Sequence, residues 1–244
     1  MTAPLATFDV ARSFGDDTAV DGVDIEVHAG EIHAIVGLNG AGKTTLMRLL
    51  LGMLRPGRGR ATVQGFDALD APSTVWRDVG HLIEEPFAYP ELTVRENLTA
   101  SAILHALSPA ALDAGVEDAI EMFGLGNWAD RRAKTLSLGN RQRLGLASAL
   151  VHRPQIVILD EPANALDPAG VVFIRDLLKR LAGDDAVVLV SSHHFDQLAR
   201  VANTITVMHR GRVVGRLDPS GVDLEQRFFD LVHQADLASG DNRR

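Results

Sequence analysis

Gly37-Leu-Asn-Gly-Ala-Gly-Lys-Thr-Thr45 fits the pattern G-x-x-x-x-G-K-[ST], with Gly37, Gly42, Lys43 and Thr44 on its fixed positions. The residue types have a physical reason. Glycines let a backbone turn tightly and approach a polyphosphate closely. The N–H groups exposed by such a turn form an anion nest, and a following helix adds the positive end of its dipole. Lys43 suits the outer phosphates, and the Thr44 hydroxyl suits Mg²⁺.

The flanks supply the setting that the motif needs. Residues 31–36, Glu-Ile-His-Ala-Ile-Val, read as a strand, and residues 46–51, Leu-Met-Arg-Leu-Leu-Leu, suit a buried helix. A strand–loop–helix order distinguishes a phosphate loop from a glycine-rich turn without a ligand.

Working outward, 244 residues suffice for one large domain, or one domain with an inserted subdomain. With 46% hydrophobic and 23% charged residues, the balance is that of a globular chain. A net charge of −8 argues against a broad nucleic-acid surface, so no nucleic-acid partner is expected. The absence of Cys excludes disulfides, thiol catalysis and Cys-ligated zinc. The first residues lack the basic and apolar regions of a signal peptide. The longest uncharged stretch, residues 97–112, is too short and polar to span a bilayer. A soluble chain is the expectation.

Residues 5–36 read as short strands with turns, among them the alternating Val23-Asp-Ile-Glu-Val27. Phe14 offers a flat apolar face to an adenine ring, or packs at an edge. Gly57-Arg-Gly59 marks a turn, and residues 61–63 and 79–83 read as strands. The latter ends in Glu84 and Glu85, where a carboxylate can position water or metal, or simply be a solvated strand end.

Residues 94 to about 152 carry helical spacing. Ser137-Leu-Gly139 opens the last of these helices, as a helix cap or as a second anion-binding N-terminus. Residues 156–159, Ile-Val-Ile-Leu, read as a buried parallel strand ending in Asp160-Glu161-Pro162. Ligands of parallel sheets bind beyond strand carboxyl ends, which places Asp160 to hold Mg²⁺ and Glu161 to polarise a water. Residues 164–167 form a turn, with Pro168 in the first turn of a helix. The buried strand of residues 186–190 runs into Ser-Ser-His193-His194. His193 there either donates to a γ-phosphate or is structural. A hairpin turning at Arg210-Gly211 and an amphipathic helix at residues 224–232 close the chain.

Together these features resemble the nucleotide-binding subunit of ATP-binding cassette (ABC) transporters, over residues 5–232. The resemblance implies an α/β fold. Its P-loop NTPase core has a parallel sheet, an N-terminal antiparallel β-subdomain and an inserted α-helical subdomain. The domain would be single, residues 1–238, with the helical insert at about 85–153 and a disordered tail at 239–244. It implies ATP hydrolysis to ADP and phosphate with Mg²⁺.

Site residues follow from the same resemblance. Phe14 becomes the adenine-stacking aromatic. Gly37, Asn39, Gly40, Ala41, Gly42, Lys43, Thr44 and Thr45 become the Walker A contacts to ATP. Ser137 and Gly139 become the signature contacts, and Asp167 the D-loop acid. Asp160 becomes the Walker B carboxylate, Glu161 the catalytic base and His193 the switch histidine. Thr44, Asp160 and Glu84 become the metal ligands. In the family two subunits pack head-to-tail, with each ATP between the Walker A loop of one and the signature loop of the other.

Two departures stand out. The usual signature LSGGQ is here Leu136-Ser-Leu-Gly-Asn-Arg141, which keeps the hydroxyl and one close-approach glycine. Glu84 stands where most members carry Gln; it accepts from water and ligates metal but cannot donate as an amide does. Leu82-Ile-Glu-Glu-Pro-Phe-Ala-Tyr-Pro90 with Ser-Leu-Gly resembles the ATPases of bacitracin- and lantibiotic-type exporters.

That subgroup implies export of a drug, antibiotic or peptide and a permease in a separate chain. It further implies a homodimer when ATP is bound and a peripheral place on the cytoplasmic membrane face. The docking surface would lie near residues 87–97. A soluble ABC-type ATPase acting on nucleic acid or ribosomes is the second reading. One cassette, no long heptad run and an acidic balance oppose it. A third reading, a regulator that does not hydrolyse, is opposed by Glu161 and His193.

Overall fold

The computed structural model describes residues 3–193, 201–238 and 240. They divide into two compact units, Met1–Ala71 with Arg175–Arg244, and Pro72–Ile174.

The first unit holds two sheets. One is antiparallel, in the order β2 (Asp17–Val27), β1 (Leu5–Phe14), β4 (Arg58–Val63), β5 (Phe66–Asp67). The other contains β3 (Ile32–Val36) flanked by β8 (Val187–Ser192) and β9 (Thr204–His209), with both neighbours parallel to it. A hairpin joins β9 to β10 (Arg212–Leu217). The sequences of β3, Ile-His-Ala-Ile-Val, and β8, Val-Val-Leu-Val-Ser-Ser, are buried at every position. Central parallel strands are covered on both faces, which is why they read as continuous runs. In β2, by contrast, Val23, Ile25 and Val27 are buried while Asp24 and Glu26 are exposed. Helix α1 (Lys43–Leu50) packs on β1 and β4, burying Leu46, Met47, Leu49 and Leu50.

The opening strands are long, not short, at 10 and 11 residues. The sequence conceals this because β1 is bulged: its pairing with β2 shifts register between Thr7 and Val10 and again on either side of Arg12. Asp9 sits at φ +46° within the first shift. Each bulge interrupts the two-residue alternation that marks a strand. Gly59 likewise lies inside β4, opposite the Phe8–Ala11 register shift.

The second unit pairs β6 (Val79–Leu82) with β7 (Ile156–Leu159) in parallel. Around them lie a short helix α2 (Ser73–Trp76) and helices α3 (Val94–Leu104), α4 (Pro109–Met122) and α5 (Leu138–Leu150). Thr93 and Glu96 form a reciprocal capping box on α3, and Pro109 takes the first turn of α4. Helix α6 (Pro168–Gly183) carries the boundary between the units. The last helix, α7 (Leu224–Ala238), continues beyond the expected residue 232. Of the expected tail only Gly240 is described; residues 239 and 241–244 lie outside the described residues.

His105, at the end of α3, stacks on His152, just after α5, with ring centroids 3.6 Å apart. Burial chiefly, then the positive charges of His105 and His81, holds His152 down to about 3 against the Val79 backbone. An unfolded chain takes up this proton near pH 6.5, the ordinary value for His. The associated stability is therefore complete above about pH 6.5 and is lost as pH falls towards 3. We expect the melting temperature to decline below pH 6.5, and His152→Gln to flatten the decline. Equal slopes for wild type and variant would refute this.

Candidate functional site

The end of β3 launches the glycine-rich loop. Val36, its last residue, pairs with Ser192, the last residue of β8. Gly37 and His193 therefore leave the sheet side by side, although far apart in sequence. The loop is tight: Ala41 N–H donates to the Leu38 carbonyl oxygen at 3.1 Å. Gly42 caps α1 at φ +100° without a side-chain hydrogen bond. A Cβ at Gly42 would collide with the Ala19 carbonyl oxygen, and one at Gly37 with the Met208 carbonyl oxygen. Both fixed glycines are thus required by close packing.

Lys43 is 6% exposed, and its ammonium donates to the Gly37 carbonyl oxygen at 2.7 Å. A buried ammonium curled over a loop of N–H groups concentrates positive charge where an anion docks. Asn39 and Gly40 are exposed, Ala41 is buried, and Thr44 and Thr45 are half-buried. Phe14, at the end of β1, is 46% exposed, with the Arg12 guanidinium 4.9 Å from its ring centre. It is not a core residue.

In the second unit, β6 and β7 end level, with Leu82 opposite Leu159. The Asp160 N–H donates to the Leu82 carbonyl oxygen at 2.7 Å, which brings Glu84 and Asp160 to one sheet end. Asp160 is 3% exposed, Glu161 half-buried and Glu84 exposed. Glu84 and Glu161 adopt φ +62° and +50°, and Ala165 beyond them +63°. Each such non-glycine residue costs ~1 kcal/mol or more, and three of them lie just beyond these two strand ends. Asp160 and the Thr44 hydroxyl are hard oxygen donors of the kind that Mg²⁺ takes alongside phosphate oxygens.

Ser137 caps α5, its hydroxyl oxygen accepting from the Asn140 N–H at 3.3 Å. A Cβ at Gly139 would lie 3.2 Å from the Ala165 carbonyl oxygen, so the one glycine of this stretch serves local packing as well. Asp167 accepts from the Gly170 N–H at 2.9 Å, capping the start of α6.

Two residues of α5 escaped the sequence reading. Gln142 is buried and donates from its amide to the Pro162 carbonyl oxygen at 3.0 Å, beside Glu161. Arg143 stands 4.0 Å from Asp167 and lies over the Phe173 ring. Together they tie α5 to the segment that follows β7. The two end a run of four polar residues, Asn140–Arg143, in the first half of the helix, which helical periodicity alone reads as surface.

A phosphate loop between a buried strand and a helix, with acids beyond the ends of two further strands that pair with each other, defines a P-loop nucleotide-binding domain of α/β class. Comparison with known proteins sharpens this. The family model described as ABC transporter matches residues 20–164. The bacitracin transport ATP-binding protein BcrA of Enterococcus faecalis is 35% identical over 226 residues, 92% of this chain and 72% of that protein. The lantibiotic transport ATP-binding protein SrtF of Streptococcus pyogenes is 29% identical over 222 residues, 91% of this chain and 94% of that one. The dimeric structure of the bacterial ABC transporter cassette MJ0796 matches with a TM-score of 0.82 at 26% identity, covering 89% of this chain and 99% of that one. The chain belongs to the ABC transporter family and is an ATP-binding ATPase of that family.

Proposed function

We propose that this chain hydrolyses ATP to power a membrane exporter, of a drug, antibiotic or peptide. The observation that carries the reading is the pair of anion-ready helix starts, at Gly42 and at Ser137, one in each unit. In a head-to-tail homodimer each ATP would lie between residues 37–45 of one chain and Ser137 and Gly139 of its partner. Phe14 would stack on adenine, and Lys43 would meet the outer phosphates. Thr44, Asp160 and Glu84 would hold Mg²⁺, which neutralises phosphate charge when bound. Glu161 would take the proton of the attacking water, His193 would donate to the γ-phosphate, and Asp167 would face the partner chain. The transport and resistance names of the relatives support an exporter over a soluble ATPase acting on nucleic acid.

Among the described residues no helix is long and apolar enough to cross a membrane. The proposal therefore includes a permease in a separate chain, with this chain on the cytoplasmic membrane face. A prepared surface for it lies at residues 87–97. Phe87 is 71% exposed and meets the Tyr89 ring edge-on. The buried Asn97 amide accepts from the Tyr89 N–H and donates to the Tyr89, Leu92 and Thr93 carbonyl oxygens. That network holds the loop before anything binds, which lowers the ordering cost of docking.

Affinity purification from gently solubilised membranes should recover a multi-helix membrane protein at comparable stoichiometry. Tyr89→Asp should lose that protein and transport while ATP binding survives. Recovery only from the soluble fraction, or loss of ATP binding in the variant, counts against the reading.

A further inference from the structure

The turn between β9 and β10 touches the phosphate loop. Gly211 N–H donates to the Ala41 carbonyl oxygen at 3.0 Å, and the Gly211 carbonyl oxygen accepts from the Asp21 N–H at 2.8 Å. A Cβ on Gly42 would lie 3.3 Å from the Gly211 Cα, so turn and loop are in van der Waals reach. The loop therefore rests on this turn.

The turn is gripped in its own right by α7. Asp236 Oδ1 lies 2.8 Å from His209 Nε2 and 3.3 Å from Arg210 Nη2. Helix α7 packs along β10, with Leu231 over Gly215. An acid in the last turn of a helix faces the negative end of the dipole, and α7 has no base of its own there. The Arg210 guanidinium in the turn offsets that penalty. The His209 hydrogen bond chiefly, then the charges of His209, Arg210 and His233, hold the Asp236 carboxyl below its ordinary range despite some desolvation.

We infer that Asp236 is a positioning residue for nucleotide binding: it fixes residues 209–211, and the Gly211–Ala41 hydrogen bond passes that constraint to the phosphate loop. The inference rests on the reading that residues 37–45 bind ATP. Asp236 touches no nucleotide. Its effect falls on how well the empty loop is held ready, so it alters affinity rather than the chemical step.

The test uses the full chain with its permease. Asp236→Ala should raise KM and Kd for ATP about threefold, the scale of a partly exposed ion pair. The kcat should stay near wild type, and Asp236→Glu should recover most of the affinity. An unchanged KM in Asp236→Ala overturns the inference. So does a joint loss of kcat, affinity and melting temperature that Asp236→Glu does not repair, since that is general destabilisation. If wild-type chain binds no ATP, the reading of residues 37–45 fails and the inference with it; if wild type binds and the variant matches it, only the inference fails.

Discussion

Glu161→Gln should lower steady-state ATP hydrolysis by about a hundredfold or more while leaving ATP affinity largely intact. The substitution keeps side-chain length and shape. An amide still hydrogen-bonds a water, but it cannot accept that water's proton. Glu161 directly follows the buried Asp160 at the end of β7, and Asp160 is untouched by the change. Residues 37–45, the proposed ATP-binding loop, belong to the other compact unit and are likewise untouched. Phosphate release measured with the permease present, beside a calorimetric ATP titration, separates the two effects. Turnover by Glu161→Gln at the wild-type rate, or equal inactivity of both proteins, would sink the proposed chemistry.

Gly42→Ala should weaken ATP binding by roughly tenfold or more and lower the melting temperature, for a reason visible in the backbone. At φ +100°, Gly42 lies outside even the left-handed region open to other residues. An added methyl also meets the Ala19 carbonyl oxygen, which belongs to a paired strand and has little room to give. The first N–H groups of α1 would then lose the geometry of an anion nest. Gly40→Ala is the internal comparison. Gly40 sits at φ +79° with open space around its missing Cβ, so only backbone strain applies. Its loss of affinity should be smaller. Equal effects at both positions, or wild-type binding by Gly42→Ala, would refute the argument.

Most of the architecture was legible because its signals were local. The glycine pattern of residues 37–45, the apolar run at 156–159 and the acids that end it each specify structure within a few residues. Ser137 was legible as a helix cap because a hydroxyl before a helix has one common use. What escaped was long-range or conformational. The bulges of β1 fragmented its alternation, so two long strands read as short ones. The left-handed backbone at Glu84 and Glu161 leaves no trace in sequence, since glutamate rarely adopts it. Gln142 and Asp236 gain their meaning from partners at Pro162 and His209 that only the folded chain brings near.

The left-handed turn at Glu161 also bears on how this sequence is kept. Glycine at that position would relieve the backbone strain, so a selection that rewards foldedness alone would drift away from the acid. With Glu161 in its proposed role, stability and turnover pull in opposite directions at this one codon. A lineage that stopped exporting would be expected to lose Glu161 early, while Gly42, whose replacement is expected to harm folding and binding alike, would outlast the activity.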